Sequence, residues 1–165
     1  MLLKETALVR LLGLKIPMLF FLGPRVERLD DAGCEVKIRL TWRSRNGLIG
    51  AMYFGALCAG ADLAGGLNAA RAIWGKHKGV KLVFADLHAQ FLKRADGDVI
   101  FRYTGGTRTE EAVREADETG ERVTLPVEVV ALVPDKYGEE PVARFTMNIS
   151  LKRKGDRPAA QRPAA

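Results

Sequence analysis

Cysteine, histidine and tryptophan are scarce in this chain of 165 residues, at two apiece. Cys34 and Cys58 cannot supply a disulfide framework. Cys58 lies in an Ala/Gly-rich apolar run and reads as a buried free thiol, which points toward a reducing, cytoplasmic setting. Neither His77 nor His88 has metal-ligand spacing with a cysteine, so no metal site is expected. Long apolar runs are missing as well. The opening MLLKETALVRLLGLKIPMLFFLG is interrupted by Arg10, Lys15 and Pro17, and no small-x-small cleavage site follows. It therefore reads as neither a signal peptide nor a membrane span, which needs about 18 uninterrupted apolar residues. The glycine-rich stretch in mid-chain lacks the Lys-Ser/Thr of a phosphate-binding loop, and no internal repeat is present.

The formal charge is +6. From Lys152 onward there are five basic residues (Lys152, Arg153, Lys154, Arg157, Arg162) against Asp156, so most of the excess belongs to the end. Residues 155–165 hold two prolines and no large apolar side chain. They read as a disordered, solubilising tail rather than a nucleic-acid-binding arm. The remaining residues, 1–154, are expected to form one domain, since 47% hydrophobic residues suffice for one core.

Along that domain, Leu3, Ala7, Leu11 and Leu14 fall at helical spacing, predicting an amphipathic N-terminal helix over about 3–14 that packs on the body. Pro24 to Leu29 reads as a strand followed by an Asp30–Gly33 turn. Val36, Ile38 and Leu40 alternate with Glu35, Lys37, Arg39 and Thr41, as in a half-buried strand. A polar loop over 42–52 follows.

Residues 53–74 form the longest apolar stretch, a helix by length and alanine content. Its interior glycines each cost roughly 0.5–1 kcal/mol against alanine, which implies that other groups approach closely there. A helix apolar on nearly every side is buried on nearly every side. Gly75 and Gly79 are the expected stop signals. Next come a strand over 81–92, with Val83, Ala85, Leu87, Ala89 and Phe91 on one face, and a strand over 99–103. A short helix over 109–118 is capped by Thr109, and an antiparallel pair over 123–133 and 142–151 is joined at DKYGEE. The class is α+β: an antiparallel sheet around one long buried helix, with an extra helix at the N-terminus.

YFGALCAGAD, residues 53–62, resembles the HGGxxxxLAD segment that opens the central helix of PaaI-like (phenylacetyl-CoA type) hotdog-fold thioesterases. DLHAQFLKRADGD, residues 86–98, is similar to that family's DLNxxYLRPAxxGD strand. The ending VEVVALVPDKYGEEPVARFTMNISLKR is similar to its closing hairpin. The basic-Asn loop, MYFGAL and ADLAGG are closest to a thioesterase-like branch of that superfamily. Tyr53 falls on the family's His, Phe54 and Gly55 on its two glycines, and Phe84 where a serine or threonine often stands. The loop Asn aligns with Gly47 unless Asn46 shifts by one position.

The resemblance implies a hotdog fold working as a homodimer, with a dimer of dimers left open. Its implied activity is hydrolysis of an acyl-CoA or acyl-carrier-protein thioester, without a cofactor. Asp62 would be nucleophile or general base, the N–H groups of Phe54 and Gly55 the oxyanion donors, and Tyr53 and Asn46 orienting groups. Arg43 and Arg45 would receive coenzyme phosphates.

Helical phase adds that Gly55 and Asp62 share a face, with Cys58, Ala59, Gly65, Gly66 and Ala69 around them. Such small neighbours leave a groove beside the carboxylate, suited to an acyl or pantetheine channel in which Cys58, Ala59 and Phe84 would line the substrate. Asp62 could instead be a structural carboxylate bonded to backbone. Alternatives to the enzyme are a non-catalytic acyl- or lipid-binding hotdog protein, or a structural partner docking through its edge strands and tail. His88 is expected to face away from the helix and His77 to lie solvated on a loop.

Overall fold

The computed structural model describes residues 3–13 and 15–154; in the first helix, side chains are described for residues 3–7 and 9. The expected tail, 155–165, lies outside the described residues. Six strands form one wholly antiparallel sheet: β1 (Arg25–Leu29), β2 (Cys34–Ile38), β3 (Val80–Phe91), β4 (Val99–Tyr103), β5 (Val123–Leu132) and β6 (Pro141–Arg153). Their order across the sheet is β1-β2-β4-β5-β6-β3, so the longest connection inserts a helix between neighbours in sequence.

That helix, α3 (Phe54–Gly75), lies on the inner face of the sheet, where Val36, Ile38, Phe101, Val127, Val129, Phe145, Met147 and Ile149 are fully buried. Alternate residues along the strands turn outward to solvent, as a one-sided antiparallel sheet requires. α4 (Gly106–Thr119) packs beside α3 through Val113 and Ala116. The order of elements thus delivers the α+β class that the pattern predicts.

The glycines of α3 have distinct uses. A side chain at Gly60 would overlap the buried ring of Phe101, and one at Gly65 would reach within 2.7 Å of the Met147 methyl. These two let the helix axis sit close to the sheet. The helix ends without a left-handed glycine: Lys76 is the C-cap in right-handed conformation, and neither Gly75 nor Gly79 has positive φ.

Other local expectations are corrected. α1 (Leu3–Gly13) docks through Thr6 and Val9, whereas Leu3 and Ala7 of the expected apolar face are exposed. Leu11 and Leu14 lie outside the described side chains. Thr6 decides the docking, because its Oγ1 accepts the Val26 N–H at 3.0 Å and so satisfies a donor on the edge strand β1. A second short helix, α2 (Pro17–Leu22), follows, anchored by Leu19 and Leu22. α4 begins three residues before the expected Thr109 cap; Thr109 is interior, and its hydroxyl lies 2.6 Å from that of Tyr103. The DKYGEE connection contains a helical turn, α5 (Pro134–Tyr137).

β3 carries a bulge at Ala85, between the pairs Phe84–Ile149 and Asp86–Asn148. Leu82 and Phe84 therefore share the inner face with Leu87, Ala89 and Phe91, and Val83 turns out to solvent. His88 lies on the outer face, in a shallow depression with Gln90, Glu128 and Arg144. His77 is not solvated: its Nδ1 lies 2.9 Å from Asp117 of α4.

Candidate active site

Three segments converge at the start of α3. The loop over 42–53 is closed by an isolated bridge between Arg45 and Met52. Ser44 pins its base, donating to the Arg39 carbonyl at 2.7 Å and accepting the Tyr53 N–H on its own carbonyl at 2.7 Å. Asn46 shapes the tip, where its Oδ1 accepts the Leu48 N–H at 2.9 Å in an Asx turn. Met52 N–H then donates to the Ala95 carbonyl at 2.8 Å, drawing the segment after β3 against the loop.

The result is a cavity of about 260 Å³ lined by Asn46, Ile49, Met52, Phe54, Leu57 and Phe91, with Lys93 and Arg94 at its side. Of the residues expected from the sequence, the cavity brings together Asn46 and Phe54. Phe91, Lys93 and Arg94 were not foreseen; basic residues directly after a strand end are the signal that could have found them. Arg43 and Arg45 are not among its lining residues. The Arg43 guanidinium instead lies over the rings of Trp42 and Phe21, at 5.4 and 5.6 Å from their centroids.

The helix start is open. Tyr53 is the N-cap with no side-chain cap bond, and its carbonyl takes the N–H groups of Ala56 and Leu57. The N–H groups of Phe54 and Gly55 have no acceptor among the described residues. Free N–H groups at the positive end of a 22-residue helix favour an anion there. Tyr53 folds its ring back over Gly55, where a side chain would come within 2.5 Å of it. The Phe54 ring is exposed and tilts against that of Tyr53, 4.7 Å between centroids.

Two turns along, Asp62 sits on the half-buried line of α3 with Gly55, Cys58 and Gly66. Its carboxylate makes no hydrogen bond or ion pair with any described residue, so a structural carboxylate bonded to backbone is not what the fold builds. Burial alone raises its pKa above the ordinary carboxylate value. Phe84 on β3 lies over Gly66, one turn further on, at 3.2 Å from where a side chain would begin. Ala59 is buried beneath this line.

Cys58 is half-buried, not fully buried as expected, and burial raises its thiol pKa. Cys34 is the fully buried one: its Sγ donates to the Ala64 carbonyl at 3.1 Å, and burial pushes its pKa up to about 12. Among the described residues no three His, Cys, Asp or Glu side chains converge as a metal site, and no helix is long and apolar enough to cross a membrane.

Nothing among curated proteins matches the chain. Solved structures do. A Pseudomonas aeruginosa protein of unknown function, named a probable thioesterase, shares 24% identity over 93% of this chain and 97% of its own, with a TM-score of 0.73. A Chlorobaculum tepidum protein of unknown function is 11% identical over 91% and 94%, with a TM-score of 0.75. A thioesterase from Haemophilus influenzae is 16% identical over 81% of each chain, at 0.60. At these identities the likeness is one of fold, that of the thioesterase-like hotdog proteins. A family model spans residues 4–151, and the chain belongs to the family it describes, "Domain of unknown function (DUF4442)".

Proposed function

We propose that this protein hydrolyses an acyl thioester, carried on coenzyme A or on an acyl carrier protein. The observation that carries the reading is the Asp62 carboxylate, half-buried and without a partner among the described residues, on the same helix whose first two N–H groups find no acceptor among them. Burial makes the carboxylate a stronger base, in the direction that general-base catalysis near neutral pH requires. It would take the proton from a water that attacks the thioester carbon, or attack that carbon itself to give a mixed anhydride that water then hydrolyses. The oxyanion formed would be held by Phe54 and Gly55 N–H, and the thiolate would leave. The likeness to structures named as thioesterases supports the substrate class.

Gly55 and Asp62 are seven residues apart, about 10 Å along the helix axis at 1.5 Å per residue. A base must lie within about 3 Å of the atoms it serves, so this separation favours a site shared between two chains. A homodimer would supply one, with the helix start of one subunit facing Asp62 of the other, and β3 is the free sheet edge next to both. The apolar cavity would take the acyl chain. Lys93 and Arg94 would meet the phosphates of the carrier, in place of Arg43 and Arg45, and Asn46 and Tyr53 would orient the thioester.

Steady-state hydrolysis measured over acyl-CoA chain lengths tests the reading. Asp62→Asn is expected to lose about 10²–10⁴-fold in kcat. Equal, slow hydrolysis by wild type and variant would leave an acyl-binding protein without turnover.

A further inference from the structure

α2 is apolar on every side, yet only Leu19 and Leu22 are buried. A helix of that composition is normally covered all round. Here Ile16, Met18, Phe20 and Phe21 face solvent, with Met18 at 59% and Phe20 at 55% exposure. Trp42, 76% exposed on the loop after β2, extends the patch, its ring edge-on to Phe21 at 5.6 Å. Contiguous exposed apolar surface of this kind marks an interaction site.

The charged residues within the patch have one sign: residues 15–22 and 42–45 contain Lys15, Arg43 and Arg45 and no acidic residue. Lys15 beside α2, and Arg43 and Arg45 beside Trp42, are exposed, and none has a carboxylate partner among the described residues. Arg43 lies against the Trp42 and Phe21 rings, so its stem joins the apolar patch while its charge stays uncompensated. A second copy docking symmetrically on this face would bring the same positive groups together, which opposes it.

We infer that α2 and Trp42 form a peripheral docking surface for an anionic lipid bilayer. Met18, Phe20 and Phe21 enter the boundary between headgroups and acyl chains, Trp42 sits at headgroup level, and Lys15, Arg43 and Arg45 meet the anionic headgroups. The inference is independent of the thioesterase reading.

The test uses the full chain with phosphatidylcholine vesicles that contain or lack phosphatidylglycerol, read by co-sedimentation. Quenching of Trp42 by bromine-labelled acyl chains, in a Trp74→Phe background, reports insertion. Binding is expected to anionic vesicles only and to weaken as salt is added. Lys15→Gln and Arg43→Gln should each lower partitioning about fivefold, the equivalent of ~1 kcal/mol per charge near the surface. Met18→Ser with Phe20→Ser should lower it at least as much and abolish quenching, with circular dichroism unchanged because both side chains are exposed. Absence of vesicle binding at low salt overturns the inference. So does equal binding to neutral vesicles, or a wild-type oligomer that the Met18→Ser/Phe20→Ser variant dissociates, which would assign the surface to a second copy.

Discussion

The half-buried Asp62 carboxylate has no partner among the described residues, and that has a cost readable without any substrate. Its folded pKa is raised, so between its unfolded value, near 3.9, and the folded one the folded state binds more protons than the unfolded. Stability contributed by the protonated form is therefore present at low pH and lost as pH rises through the folded value. Asp62→Asn is expected to raise Tm at neutral pH, with the gain disappearing below about pH 4. Thermal melts of both proteins across that range check it, and a variant less stable at every pH would mean the carboxylate has a partner. That Gly55 and Asp62 share one half-buried line of α3 was legible in the sequence because a helix fixes relative phase. Lys93 and Arg94 were not, since their approach depends on the Met52–Ala95 hydrogen bond, between residues far apart in the chain.

At the level of elements, periodicity located the strands and the long helix but not what sits between them. Pro17 interrupts an apolar run and so reads as a break, although proline is well suited to open a helix. Thr109 has the chemistry of a cap and is a core residue because α4 starts further upstream. The bulge at Ala85 leaves no mark, as alanine is as acceptable inside as outside. The glycines of α3 give a sharper test of packing. Gly60→Ala would drive a methyl into the immobile Phe101 ring, a kind of overpacking that costs about 1–3 kcal/mol. Gly66→Ala meets only the Phe84 ring edge at 3.2 Å, on the half-buried line, and regains up to ~1 kcal/mol of helix propensity. Urea unfolding should show the first variant clearly weakened and the second near wild type; the reverse order would mean α3 sits differently on the sheet.

For the whole molecule, the proposed site makes assembly a condition of the proposed activity. Phe54→Pro removes one oxyanion donor at a position where proline is tolerated, since Tyr53 before it is extended at φ −63°, ψ 138°. Alone it is expected to lose about 10²–10³-fold in kcat. Mixed with Asp62→Asn and allowed to exchange subunits, it should regain activity, because each mixed dimer holds one intact pairing of helix start and carboxylate. Failure to regain any, with exchange verified by mass, would place both groups in one chain.

The free edge of the sheet bears on how such copies meet. Because Ala85 is looped out, β3 holds one residue of slack: the strand reads one residue longer than the ladder it makes with β6. Excising Ala85 would leave every other side chain of the strand facing as it does now. The kink also keeps twelve residues of edge from being a straight template. A neighbouring chain can add on only in stretches that end at the kink, and the sheet's capacity to grow without limit is curtailed by a single alanine.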